Sequence, residues 1–267
     1  PSPPPSSICG QGSRWGTTFN MCSAILGAGA LSLPHAVAAM GVIPAVVLLL
    51  FTAVATHYSI ILLIHAITAS NTKSFEDLTQ QVFGKINGLL VELAIIIFQY
   101  GTLVAYTVAI GDILEPLTNL PAIHSHVPWL TRNTIIVLFW AVLMLPLSFV
   151  ERISSLQFTS LFGVLALVYL VTAVLIHFLF DASLDPKHTV GAMSLGHLSE
   201  GAVSAAAIIM FAFTCQINVP SVYQELNVKT LHEMSVVSIR AVTLCLLCYL
   251  IVGIAGYADF PSSSEGN

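Results

Sequence analysis

Charge is what this chain has least of. Only 8% of its 267 residues are Asp, Glu, Lys or Arg, about a third of the share found in an ordinary soluble domain. So few charges cannot cover a water-facing surface, and a mean hydropathy of +0.90 places the chain in a bilayer. The eight Lys and Arg are scattered, which leaves no basic patch for a nucleic acid partner. None of the nine His stands four residues from another, so the HxxxH spacing of a helical metal site is missing. Ala109 stands two residues before Gly111-Asp112, which excludes the GxGD motif of an intramembrane aspartyl protease. The apolar runs do not alternate, so they are not barrel strands. These absences argue against an enzyme and against a bound metal or other cofactor.

Cysteine is sparse as well. Cys22, Cys215, Cys245 and Cys248 fall in apolar segments and Cys9 in the N-terminal stretch, so no extracytoplasmic disulfide is expected. The CxxC formed by Cys245 and Cys248 reads as packing thiols in an apolar helix.

What is present is a series of long apolar segments. Seven reach the roughly 20 residues a helix needs to cross hydrocarbon: 18–40, 44–69, 88–117, 131–150, 155–179, 200–224 and 235–258. Lipid requires each backbone group to be satisfied within its own segment, so these are helices. The expected fold class is an all-α integral membrane protein built as a multi-span helical bundle. Residues 1–16, rich in Pro and Ser, read as a disordered tail, 17–258 as the membrane domain, and 259–267 as an extracytoplasmic tail. With the N-terminus inside, Arg14, Lys73, Lys85, Arg152, Lys229 and Arg240 are cytoplasmic, and Arg132 and Lys187 lie outside, as the positive-inside rule favours. The outer connections "NLPAIHSHVPWLTR" and "DASLDPKHTVGAMSLGHLS" carry no N-x-[ST] sequon, which leaves the plasma membrane and a vacuolar or lysosomal membrane both open.

One cytoplasmic connection has a pattern of its own. In "SFEDLTQQVFGK", Ser74 and Asp77 make a capping box. Phe75, Leu78, Val82 and Phe83 share one helical face, and Gly84 can end the helix. This predicts a short amphipathic helix on the inner membrane surface or against the bundle.

Two spans contain residues a membrane helix tolerates poorly. "NMCSAILGAGALSLPHAV" in span one carries Gly27, Gly29 and Pro34, and "IIMFAFTCQINVPSVYQEL" in span six carries Thr214, Cys215, Gln216, Asn218 and Pro220. Unwinding exposes N–H and C=O groups that only protein, ligand or water can satisfy. Freed N–H groups suit a carboxylate and freed carbonyls suit a cation. Discontinuous helices in corresponding positions of two halves point to a transport site between repeats.

These stretches carry a resemblance. "GSRWGTTFNMCSAILGAGALSLPHAVAAMG", "SFEDLTQQVFG", "FAFTCQINVPSVYQEL" and "GYADF" occur in the order seen in the amino acid/auxin permease family, and their style is similar to its sodium-coupled neutral amino acid transporters. The resemblance implies a five-plus-five inverted-repeat fold of eleven spans. It implies secondary transport of an amino acid substrate coupled to Na+ or H+, with membrane lipid around the bundle. It also implies that the backbone of Gly27, Ala28, Gly29 and Ala30 holds the substrate carboxylate, and that Phe211, Phe213, Thr214 and Cys215 face the amino group or side chain. Asn20 and Ser23 are the implied ion-coupling positions, Ser23 standing where the sodium-coupled branch often has a second asparagine. Seven spans of an expected eleven make the chain a piece of a longer permease, or else an amino-acid-binding sensor or relic that does not transport.

Other polar residues in the spans are His35, His57, His65, Glu92, Tyr100, Tyr106, Asp112 and Glu115. Packing or interfacial roles are expected for most of them. Asp112 is a better candidate than Glu115 for a gate or proton site but reads first as an interfacial carboxylate, and His35 reads equally as a proton or substrate contact and as a satisfied interior histidine.

Overall fold

The computed structural model describes residues 13–27, 29–118, 129–149, 157–184, 194–196 and 201–259. Most of the connections at 119–131, 150–156 and 185–200 and most of both tails lie outside that set. Among the described residues there are helices and no strands, so the chain is an all-α membrane protein. Five helices among the described residues are long and apolar enough to cross a membrane, and a bent pair makes a sixth; of the seven expected segments, that at 131–150 holds a shorter apolar helix.

The first helix, α1 (Arg14–Ile25), begins ahead of the expected residue 18 because Ser13 caps it, its hydroxyl accepting from the Gly16 N–H at 3.1 Å. It is followed by α2 (Gly29–Met40) and α3 (Val42–Ser70). The turn between them needs Gly41, whose φ of +85° favours glycine. The first N–H groups of α3 are not left bare: Val42 and Ile43 donate to the carbonyls of Ser194 and Leu195, at 3.1 and 3.0 Å. Tyr257 holds that segment in turn, its hydroxyl accepting from Ser194 N–H.

Helix α4 (Phe75–Phe83) is the short amphipathic element. Ser74 accepts from Asp77 N–H at 3.1 Å and Gly84, at φ +88°, ends it. Phe75 and Leu78 pack against the core, while Val82 and Phe83 are exposed. Replacing Ser74 with alanine is expected to destabilise this turn by about 1 kcal/mol, read as faster amide exchange confined to 75–83.

The chain forms two compact units, 1–88 with 157–267, and 89–156. The second holds most of α5 (Lys85–Thr118) and α6, which runs Arg132–Phe139, widens into a π turn at Trp140–Met144 and ends as Leu145–Ser148. Pro146 lacks the donor a regular turn needs, and a π turn ahead of it accommodates that loss. Within this unit Arg132 bonds Asp112 at 2.6 Å and approaches Glu115 at 3.5 Å. Asp112 is thus an ion-pair partner.

The first unit contains the core. Its remaining helices are α7 (Gln157–Leu184), α8 (Ala202–Ala212), α9 (Val219–Glu225) and α10 (Leu231–Asp259). Helix α10 is the hub, packing on α1, α2, α3 and α7. Its Gly253 and Gly256 face Leu33, Pro34 and Val37 of α2, so close that a methyl at Gly256 would sit 2.7 Å from the Pro34 ring. Met21, Leu33, Leu49, Ile64, Ile209, Met234 and Tyr249 are fully buried here. Cys22, Cys215 and Cys245 are buried free thiols.

Candidate functional site where two broken spans meet

Helix α1 stops at Ile25. Leu26 turns extended, its N–H still bonded to Cys22 O at 2.7 Å, and α2 starts again at Gly29 with its axis bent by 56° from α1. The glycines mark the break. Pro34 lies inside α2, where it removes one backbone bond without ending the helix.

Span six breaks differently. Helix α8 ends at Ala212 and tightens, Phe213 and Thr214 donating to Met210 and Phe211 carbonyls at 3.3 and 3.0 Å. The Cys215 N–H is taken by the Gln216 side-chain oxygen at 3.0 Å. A 3₁₀ turn at Gln216–Asn218 then leads into α9, whose first turn holds Pro220. There a missing donor costs nothing. One polar side chain and one proline thus stabilise the interruption.

The two breaks touch. A methyl group on Gly29 would lie 2.9 Å from Ala212 Cα and 3.0 Å from its Cβ, so only glycine lets the start of α2 cross the end of α8. Tyr249 of α10 reaches both ends. Its buried hydroxyl lies 2.9 Å from Ile25 O and 2.7 Å from Ala212 O, the last carbonyls of α1 and α8. One hydroxyl proton serves one acceptor at a time. The ring stands edge-on to Phe213 at 5.1 Å.

The expected site residues distribute unevenly around this point. Gly29 and Ala30 are buried and Gly27 is half-buried; the Ala30 N–H donates to Gly27 O at 3.2 Å. Ala28 lies outside the described residues. Phe213 and Cys215 are buried, Phe211 is exposed, and half-buried Thr214 turns its hydroxyl to Met210 O at 3.2 Å. Ser23 is half-buried on α1. Asn20, one turn earlier, donates to Glu225 at the end of α9, 2.7 Å away.

Sequence reading missed Tyr249 and Glu225. Tyr249 sits mid-segment in a long apolar run, and a tyrosine there needs a partner for its hydroxyl; that was its one signal. Glu225 is the last residue but one of "VPSVYQEL", just past the expected end of span six at 224.

Of the other polar residues, His57 shares a hydrogen bond with Ser238 at 2.9 Å. His65, Glu92, Tyr100 and Tyr106 are exposed and His35 is half-buried. At the start of α1, Arg14 forms a two-point ion pair with Glu233 of α10, and Arg240 lies over the Trp15 ring at 4.7 Å. Among the described residues no group of three or more His, Cys, Asp or Glu could hold a metal ion.

The sequence profile described as "Transmembrane amino acid transporter protein" matches residues 10–267. The chain belongs to this family. It is 26% identical to amino acid transporter AVT6E of Arabidopsis thaliana, over 96% of this chain and 54% of that protein. It is 28% identical to vacuolar amino acid transporter 5 of Schizosaccharomyces pombe, over 97% of this chain and 60% of that protein. It is also 28% identical to sodium-coupled neutral amino acid transporter 7 of Xenopus laevis, over 99% of this chain and 59% of that protein. The chain thus spans little more than half the length of these curated relatives. No solved structure matches it.

Proposed function

We propose that this chain builds the substrate-binding core of a secondary active amino acid transporter. The observation that carries the reading is the contact of the two span breaks at Gly29 and Ala212, tied by one buried tyrosine. The start of α2 presents backbone N–H groups to a carboxylate, and the ends of α1 and α8 present carbonyls to an ammonium. An α-amino acid carries both groups one carbon apart.

Phe211, Phe213, Thr214 and Cys215 bring no charge to the site, which favours small neutral substrates. Coupling to Na+ or H+ supplies the driving force, and α1 with α2 and α8 with α9 rock against their neighbours to alternate access. The N-terminus is placed in the cytoplasm by the Lys and Arg bias, in the plasma membrane or a vacuolar or lysosomal membrane. No enzymatic role is proposed.

The test is uptake of labelled alanine, glutamine, lysine and glutamate by the full-length protein. It is expressed in cells stripped of their own carriers and assayed with and without Na+ and at two external pH values. Accumulation of the neutral amino acids above control, dependent on one of the two cations, is expected. Absence of accumulation by protein verified at the assayed membrane overturns the reading.

A further inference from the structure

The pair formed by Asn20 and Glu225 is built in an unusual way. The Asn20 amide donates to one carboxylate oxygen at 2.7 Å. The other carboxylate oxygen, Oε1, and the amide oxygen, Oδ1, are both buried and have no hydrogen-bond partner among the described residues. So is the hydroxyl oxygen of Thr17, one turn before Asn20 on α1. Two of these three oxygens can only accept while Glu225 is ionised. Glu225 is half-buried, but a sheltered carboxylate oxygen with no partner is costly to hold. What the place lacks is positive charge.

Among the described residues no side chain provides that charge. The elements packed most extensively on α9 among the described residues are α1, α3 and the 3₁₀ turn. Arg14 of α1 is engaged by Glu233, and His57 of α3 by Ser238. His65 is exposed, Tyr58 is exposed, and Cys22 turns its sulfur to Ala241 O. The 3₁₀ turn holds no titratable group. Beyond the end of α9, Lys229 bonds Gln224.

We infer that Glu225 and Asn20 form a loading site for the coupling cation, a proton or Na+, at the seam between the separated inner halves of spans one and six. This deepens the transport reading and rests on it for its role, though not for its chemistry. A proton on Glu225 removes the buried charge and turns an acceptor into a donor. Na+ satisfies the same oxygens by coordination. Either guest ties α1 to α9, and its departure leaves an uncompensated carboxylate that favours separating them. Cation occupancy would thereby be coupled to movement of the two broken spans.

Two variants test it on the purified full-length protein. Melting temperature is followed as Na+ replaces choline at fixed pH, and as pH falls in Na+-free buffer. The first series reads Na+ and the second reads protons. Wild type is expected to gain stability in one series. Glu225→Gln keeps an acceptor for Asn20 but no charge, and is expected to lose that gain. Asn20→Asp puts a second carboxylate within hydrogen-bond reach, and is expected to enlarge it because two such groups cannot both stay ionised without a cation. In liposomes the cation dependence of uptake should fall more than about tenfold in Glu225→Gln, within the range of ordinary site coupling. A cation response identical in wild type and both variants overturns the site. Wild type that shows the cation response, lost in Glu225→Gln, but no uptake overturns the transport reading and leaves the site standing.

Discussion

Replacing Gly29 with leucine is expected to abolish amino acid uptake while the protein still reaches its membrane. The reason is steric and local. Already the first carbon of any side chain at Gly29 meets the backbone of Ala212 at 2.9 Å, a distance real Cβ contacts do not tolerate. Backbone cannot rotate away as a side chain can, so α8 must move, and overpacking of this kind costs about 1–3 kcal/mol even where the neighbour is flexible. The damage falls on the contact between the two breaks, where the carboxylate and ammonium are proposed to bind. The chain around it is a membrane-embedded bundle with a core reaching from Leu49 to Met234, enough to keep the protein inserted.

Smaller changes make a graded series. Gly29→Ala already introduces the clash and is expected to lower uptake more than about tenfold, the equivalent of 1.4 kcal/mol. Adding Ala212→Gly removes the 3.0 Å contact but not the 2.9 Å one, so rescue is partial. Labelled uptake normalised to surface protein measures all three. Wild-type uptake by Gly29→Leu would show that the crossing is not part of the site.

Much of this arrangement is legible in the sequence because a bilayer removes most alternatives. Long apolar segments must be helices, so helical structure follows from length alone, although the segment expected at 131–150 holds only a shorter apolar helix, Arg132–Met144. Glycines 27 and 29 were readable as a break because glycine weakens a helix wherever it stands. Pro34 does not mark the break: it lies inside α2, where it costs one backbone hydrogen bond and its ring packs against Gly256. The partners across the bundle were not legible. That Glu225 meets Asn20, 205 positions away, depends on how α9 sits against α1, and no local pattern encodes that. Tyr249 shows the same limit. Its neighbours in sequence are apolar, and its importance comes from the two carbonyls it reaches on other helices. The short helix at 75–83 lies at the opposite extreme: its cap and stop are within one segment and the structure reproduces both, while of its apolar stripe only Phe75 and Leu78 meet the core.

Tyr249→Phe is the sharpest single-atom test of the site. The substitution keeps the ring, its burial and its edge-on contact with Phe213, and removes only the hydroxyl. Ile25 O and Ala212 O then share no donor from α10. Both are last-turn carbonyls with no place in their own helix ladders. Leaving such a group buried and unpaired costs on the order of 1–3 kcal/mol, and α1 and α8 lose their common anchor. The purified protein is therefore expected to melt lower than wild type, and uptake to fall by at least about tenfold. A purely structural tyrosine would predict the same loss with and without ligand. The site predicts otherwise: a substrate ammonium can donate to the carbonyls the hydroxyl has vacated, so saturating alanine should restore more stability to Tyr249→Phe than it adds to wild type. Equal ligand-induced shifts in the two proteins would place the ammonium elsewhere. A larger shift in the variant would locate it at the paired ends of α1 and α8, where in the wild type two carbonyls compete for one hydroxyl proton and a second donor has a place to bind.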